Sequence, residues 1–418
     1  MKKNIKKRLS DLSVLISVLL CLSVPLGCSS EATDAEPELK RIADHLYETT
    51  ITEETDWGTE AALLGSFSCS GIQYGQYRGR NYDWYFDDTD LCVVHTTAAG
   101  NRPHASVGVA DLSFITDENG NVITSKLPFV VVDGINDAGV CIQVNVIPAG
   151  ENGEPAHTQT ADDDLAGTHV VRFVLDYAGS VEEAVELLSG CDIYSAMSDG
   201  SNELHWMISG PANENDSTTK TIVVEVFPDG LHITDTFVGG IAVMTNFNVS
   251  NFDGTAESIG CGSGYERWQI LCDNAAQASS VAGTFDLMEK VFYTKTYDLY
   301  GDRFFYSEYD LFNLCDYYSE EDLTQLLGKE TYDAYMENLG GVFYTPTLWD
   351  GEERIYGDIT KTGIIAPIVE GTNADYTAQK TGHYTWMTIH TSVYDLANLT
   401  LNVAVRESQD SLVFKIEG

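Results

Sequence analysis

Ser66-Phe67-Ser68-Cys69-Ser70-Gly71-Ile72-Gln73-Tyr74, then Gly75-Gln76, then Tyr77-Arg78-Gly79-Arg80-Asn81-Tyr82-Asp83-Trp84-Tyr85 reads as a β-hairpin. Two strand-forming runs are separated by two residues with Gly first, the composition of a tight hairpin turn. An antiparallel return lays the second run beside the first, which brings Arg80 and Asp83 into the neighbourhood of Cys69. A thiol beside a guanidinium ionises more readily. An Asp beside a chain start at Cys69 would hold a free α-ammonium. The plain alternative for Cys69 is a buried structural thiol.

Downstream of the hairpin, strands are predicted at 90–97, 105–115, 128–133 and 139–147, the last two joined by the turn Asn136-Asp137-Ala138-Gly139. Helices are predicted at 166–178 and 181–189, the second opened by Ser180 with Glu183 three residues on. Strands resume at 203–208, 220–227, 230–237 and 241–245, helices at 263–278 and 284–293, and strands at 383–391, 399–405 and 412–416. Residues 297–362, rich in Tyr and acidic groups, fit neither rhythm and read as an insertion. Upstream, Leu39, Ile42, Ala43 and Leu46 stand at helical spacing and predict a helix within 38–56. The order predicts an α+β fold of two stacked sheets with helices outside.

Lys2, Lys3, Lys6, Lys7 and Arg8 precede an apolar run, Val14 to Leu26, that is short for a membrane span; residues 1–27 read as an export signal. Gly27-Cys28-Ser29-Ser30 resembles a lipoprotein cleavage site with Cys28 as lipid acceptor. The domain reading is therefore a signal at 1–27, a tether and pro-segment at 28–68, and a catalytic domain at 69–418. The chain is expected to be exported, as a membrane lipoprotein or secreted, with Cys28 as the only membrane contact. Residues 28–418 carry 18 basic and 63 acidic side chains, a net charge near −45. Such a surface repels nucleic acid and anionic lipid, so no nucleic-acid partner is expected. Seven cysteines follow Cys28 with no CxxC pair and no metal-finger spacing; seven is odd, so one thiol at least is unpaired.

A Cys, a hairpin and then Gly79-Arg80-Asn81-Tyr82-Asp83 resembles the opening of the choloylglycine hydrolase family of linear-amide C–N hydrolases. Asp133-Gly134-Ile135-Asn136-Asp137-Ala138-Gly139-Val140, running into Gln143-Val144-Asn145, is similar to the family's next turn and strand. Leu204-His205-Trp206-Met207-Ile208, Val243-Met244-Thr245-Asn246, Gly264-Tyr265-Glu266-Arg267 and Ser392-Val393-Tyr394-Asp395-Leu396 follow in family order. The resemblance implies the N-terminal-nucleophile (Ntn) hydrolase fold, an αββα four-layer sandwich of two antiparallel sheets flanked by helices. It implies a Cys exposed at the chain start by removal of what precedes it. It also implies oxyanion donors at Asn145 and Asn246, with Asn248 as the alternative to the latter, and Arg267 closing the set.

On that reading the α-amine of Cys69 accepts its own thiol's proton, since free amine and thiol titrate within about one unit of each other. The thiolate attacks the amide carbonyl of a small N-acyl substrate to form a thioester, Asp83 orients the amine, and Arg80 and Arg267 set the local field. No metal or organic cofactor is required. An acyltransferase of the same fold, or an inactive acyl-binding lipoprotein, would carry the same residues. His95, His104, His157, His169, His205, His383 and His390 are scattered and read as core or surface groups. Tyr297, Tyr300, Phe304, Phe305, Tyr306, Tyr309 and Phe312 are candidates either for packing the insertion or for lining an apolar acyl site. If Cys28 is lipidated, residues 28–68 have no second thiol through which a disulfide could hold them, and their short apolar face predicts release after a cut at Cys69.

Overall fold

The computed structural model describes residues 37–62, 68–84, 89–117, 119–148, 165–195, 202–260, 262, 264–291, 387–405 and 411–416, with 324 and 329. The signal, Cys28 and the insertion at 297–362, with its aromatic cluster, lie outside the described residues.

The hairpin forms as its sequence requires. β3 (Ser68–Tyr74) and β4 (Tyr77–Trp84) pair antiparallel with Tyr74 opposite Tyr77, and Gly75 supplies the positive φ of 58° at the turn. With β14 (Ala242–Met244), β15 (Met387–Asp395), β16 (Thr400–Val405) and β17 (Leu412–Lys415) they make a six-stranded sheet ordered β14-β3-β4-β15-β16-β17. The chain's last strands thus complete the sheet that its first hairpin begins.

The second sheet has nine strands among the described residues. They are β1 (Lys40–Ala43), β2 (Leu46–Ile51), β5 (Leu91–Thr96), β6 (Ser106–Asp111), β7 (Val131–Asn136), β8 (Cys141–Pro148), β11 (Asn202–Asn213), β12 (Asp216–Phe227) and β13 (Gly230–Thr234), in that spatial order. Helices α1 (Val170–Tyr177) and α2 (Val181–Ser189) cover its outer face against β7, β8, β11 and β12. Helices α3 (Tyr265–Asp273) and α4 (Val281–Glu289) cover the outer face of the six-stranded sheet against β3, β4, β14 and β15. The sheets face one another through β3 against β8 and β14 against β12. The result is the four-layer αββα sandwich. A short parallel pair, β9 (Leu165–Ala166) with β10 (Ile193–Tyr194), stands apart.

Local chemistry sets the boundaries. Ser180 caps α2 by accepting from Glu183 N at 3.1 Å, and the Glu183 carboxylate returns to Gly179 N at 2.9 Å. The strand expected over 105–115 stops at Asp111, whose carboxylate accepts from Ser113 N at 2.8 Å and turns the chain into a 3-10 helix, Leu112–Ile115. The strand expected from 128 starts at Val131, because Thr124–Val130, with Pro128 inside it, is also a 3-10 turn.

One element differs in kind. The helix expected within 38–56 is a strand pair, β1 and β2, joined through His45 at φ 53°. Its β2 pairs parallel to β5, from Leu46 opposite Leu91 to Ile51 opposite Thr96, so the nine-stranded sheet is not wholly antiparallel. The spacing of Leu39, Ile42, Ala43 and Leu46 mimics a helix. What decides the matter is burial against β5, forty residues on, where Leu46 is fully enclosed and Ile51 nearly so.

Leu46→Ala therefore should lower the unfolding free energy by about 2–5 kcal/mol, the cost of truncating a closed core Leu. Ile123→Ala, on an exposed side chain, should change it by less than about 0.5 kcal/mol. Denaturant unfolding of both variants measures this; equal, small effects would place residue 46 outside the core.

Candidate active site

Strand periodicity distributes the site around Cys69. In the β3–β4 pairing Cys69 stands opposite Tyr82, Gly71 opposite Arg80 and Ser68 opposite Asp83. Directly paired residues share a face and alternate residues switch it. Cys69, Gly71, Arg78, Arg80 and Tyr82 therefore point between the sheets, while Ser70 and Asp83 point toward the α3–α4 layer. The contacts agree. Arg80 Nη2 lies 3.3 Å from Cys69 Sγ and donates to Val144 O on β8 at 2.9 Å. Gly71 is glycine because a Cβ there would meet the Gln143 side chain of β8. On the other face, Arg267 of α3 donates from Nη1 to Cys69 O at 2.7 Å and Ser70 Oγ at 2.8 Å, and stands 3.8 Å from Asp83 Oδ2. Thr388 of β15 donates to Asp83 Oδ1 at 2.6 Å.

The two Asn residues occupy different positions. Asn246, just after β14, accepts from Cys69 N at 3.1 Å and from Arg267 Nη2 at 2.8 Å through Oδ1, while its Nδ2 donates to Val146 O at 2.7 Å. Of Asn246 and Asn248, it is Asn246 that takes the Cys69 amide. Asn145 directs Nδ2 to Thr245 O at 2.9 Å and Met244 O at 3.4 Å, and its Oδ1 accepts from Gln143 at 3.1 Å. Asn145 is thus joined to the backbone ahead of Asn246, and its amide donors are committed there.

Electrostatics in this uncut chain oppose reaction. Burial pushes the Cys69 thiol up to about 12; Arg80 pulls it down, Asp83 pushes it up, and the Asp83 backbone hydrogen bond and Arg267 pull it down. The neighbouring guanidinium does favour ionisation, as the sequence predicts, but burial outweighs it. Arg80 spends its charge on Asp133 of β7 as well as on sulfur, and the desolvated thiol stays protonated. Burial also raises Asp83 to about 7, against the lowering pull of Arg267, Thr388 and Arg80. Asp83 Oδ2 is buried with no hydrogen-bond partner.

Sequence reasoning missed the groups that hold this set in place. Asp133 accepts from Arg80, from His390 Nε2 at 3.1 Å, from Ser392 Oγ at 3.2 Å and from Tyr394 Oη. Burial alone would raise the Asp133 carboxyl; Arg80, His390 and Tyr394 outweigh it and hold it well below the ordinary range. Burial lowers His390, against the raising pull of Asp133. A second network fixes Asn246. Glu225 of β12 accepts from Val249 N at 2.7 Å, Ser250 N at 2.9 Å and His205 Nδ1 at 3.2 Å, and His205 Nε2 donates to Thr245 O at 3.0 Å. The loop bearing Asn246 is thereby fastened to the opposite sheet. Gly264, the N-cap of α3 at φ 92°, lets Arg267 fold back; a Cβ there would lie 2.6 Å from Arg267 Nη2. Asp133, His205 and Gly264 each sit inside the motifs quoted above, but what they touch is set by pairing between sheets, which local spacing does not encode. Among the described residues no group of three or more His, Cys, Asp or Glu side chains gathers to hold a metal ion.

The Asp83 shift makes a pH prediction for the uncut chain. A carboxyl at about 7 when folded and 3.8 ordinarily favours the fold fully below pH 4, and that contribution is lost as pH rises through 7. In a Cys69→Ala background, stability relative to the additional Asp83→Asn variant should fall by about 2–4 kcal/mol between pH 4 and pH 7. Denaturant titrations across that range test it; parallel curves for the two proteins would refute it.

The description "Linear amide C-N hydrolases, choloylglycine hydrolase family" matches residues 69–284, a span that opens at Cys69 and closes within α4. No curated protein matches the chain. Among solved structures, a mutant of the conjugated bile acid hydrolase from Clostridium perfringens is similar at 16% identity and a TM-score of 0.38, over 84% of this chain and 92% of that one. The penicillin V acylase from Agrobacterium tumefaciens is similar at 14% identity and a TM-score of 0.36, over 83% and 86%. The family match spans more than half of the sequence and includes Cys69, Arg80, Asp83, Asn145, Asn246 and Arg267. The chain belongs to the choloylglycine hydrolase family of linear amide C–N hydrolases, enzymes of the Ntn-hydrolase fold.

Proposed function

We propose that the chain is exported, is cut between Ser68 and Cys69, and then hydrolyses the amide bond of a small N-acyl substrate through a Cys69 thioester. The observation that carries this reading is the arrangement at residue 69. The thiol faces Arg80, the backbone nitrogen faces Asn246 Oδ1, and the carbonyl is held by Arg267. Asp83 Oδ2, close by on the adjacent strand, is buried without a hydrogen-bond partner. A cut before Cys69 creates an α-amine at the only position able to use all of these. Its ammonium form gives both Asp83 and the thiol a further cationic neighbour, beside Arg80 and Arg267, lowering both.

The amine takes the thiol proton, and the thiolate attacks the amide carbonyl carbon, forming the C–S bond. Asn246 and Asn145 are the donors assigned to the oxyanion; for Asn145 this requires its Nδ2 to leave Thr245 O when substrate binds. Each such donor is worth roughly 10²–10³ in rate. Collapse of the tetrahedral intermediate breaks the C–N bond, and the α-ammonium protonates the departing nitrogen. Water, deprotonated by the same amine, then attacks the thioester, releasing the acid and restoring the thiol. In the uncut chain burial pushes the thiol up to about 12 and residue 69 has no free amine, so the cut also supplies the base that turnover of substrate requires.

The strongly acidic surface disfavours anionic substrates at long range. A neutral or weakly charged N-acyl amide is therefore the preferred substrate over glycine or taurine conjugates.

Amino-terminal sequencing of the active protein should begin at Cys69, and Cys69→Ala should abolish both processing and turnover. A fully active chain still carrying residues 60–68 on Cys69 would sink the mechanism. A panel of neutral N-acyl amides, penicillin V and conjugated bile salts should show the highest kcat/KM for the neutral amides. Turnover confined to bile conjugates would overturn that preference and leave the nucleophile standing.

A further inference from the structure

We infer that residues 37–62 dock on the catalytic chain without a covalent link and stay docked after the cut, so that the mature enzyme is a two-chain particle. The inference rests on the maturation proposed above and reverses the expectation of release. That expectation assumed a helix held by a weak apolar face. The structure instead has a strand built into the sheet.

Three independent attachments hold the segment. The first is main-chain pairing. β2 runs parallel to β5 over six residue pairs, and the ladder continues at both ends, with Leu91 N donating to His45 O at 3.0 Å and Thr97 N to Ile51 O at 3.1 Å. The second is polar. Arg102 reaches Ile51 O at 3.2 Å, and Thr55 Oγ1 donates to the buried carboxylate of Asp176 at 2.6 Å. The third is aromatic. The Trp57 ring meets Phe129 and Phe173 edge-on, with centroids 5.6 and 5.5 Å away, and its Nε1 donates to Tyr177 Oη at 2.9 Å. Across the β2–β5 seam, His45 and Asp90 pair at 2.9 Å and Glu48 and His95 at 3.2 Å.

None of these contacts passes through the Ser68–Cys69 peptide, so cutting it leaves every one of them intact. Departure would cost all of them together. It would bare the β5 edge, leave Asp176 and Arg102 short of partners, and empty the slot filled by Leu46 and Trp57. The occupant of that surface is therefore residues 37–62 of this chain, bound by strand addition with an aromatic anchor at its end.

The test separates docking from maturation. The full-length protein is given a site-specific protease sequence in place of residues 63–67 and cut there. Size exclusion and native mass spectrometry should show the two chains together at one-to-one, separating only in denaturant. Trp57→Ala in the same protein should speed dissociation of the segment tenfold or more, about 1.4 kcal/mol or above for loss of an aromatic anchor. Separation of the chains in native buffer overturns the inference, as does a dissociation rate unchanged by Trp57→Ala. The denaturing mass of the unaltered protein reports the natural cut alone. A chain that starts upstream of Cys69 refutes the maturation reading, while the engineered cut still decides docking.

Discussion

The ion pair of Arg80 with Asp133 is the constraint around which the site is organised. Both side chains are fully enclosed, on β4 of one sheet and β7 of the other. A guanidinium cannot be left uncompensated in that interior. Asp133 supplies the compensation, and it is itself surrounded by donors from β15. The sheets are thereby locked in one relative position, with Arg80 Nη2 set against the Cys69 thiol. A well-packed apolar pair would hold two sheets at least as firmly. What the ionic pair adds is a fixed positive charge at the sulfur.

The same alternation that places Arg80 beside the thiol places Arg267 and Asp83 on the opposite face. Each atom of residue 69 is consequently addressed by a different group: sulfur by Arg80, carbonyl by Arg267, nitrogen by Asn246. On the mechanism proposed above, the nucleophile is also its own base and needs its amine and its thiol supported separately. A β-strand does this naturally, because side chain and backbone leave it in perpendicular directions. The cost is a buried thiol, which desolvation pushes up to about 12.

The hairpin, its turn, the capped helix at 181–189 and the two-sheet order were legible because each is written in nearest neighbours: Gly75 for a positive φ, Ser180 with Glu183 for a cap, alternating runs for strands. Cys69, Arg80, Asp83, Asn246 and Arg267 were legible as a group because the hairpin and the motif order bring them into one series. Two things were not. The strand pair at 40–51 pairs with a segment forty residues away, and its four apolar residues fit a helix as well as a strand. The side-chain amides of Asn145 and Asn246 donate across to the facing sheet and its loop, so no local pattern reveals that Asn145 donates to Thr245 O or that Glu225 pins the loop after β14.

Those contacts also fix the Asn145 and Asn246 side-chain amides relative to each other. Glu225 takes the backbone amides of Val249 and Ser250 and, through His205, orients Thr245 O, the acceptor to which Asn145 is tied. Asn246 is tied independently to Val146 O on β8 and to Arg267 on α3. The two amides are therefore cross-tied between β8 and the loop after β14: Asn145 reaches the backbone of the loop, and Asn246 reaches the backbone of β8 and is held by the helix that grips Cys69. Moving the loop moves both donors together and in relation to the nucleophile. Preorganisation of this kind is worth most in a dry site, where each dipole acts at low dielectric and no water must reorient as charge develops. The buried carboxylate of Glu225 belongs to that arrangement: through His205 it fixes the Thr245 carbonyl, and that carbonyl fixes the Asn145 amide.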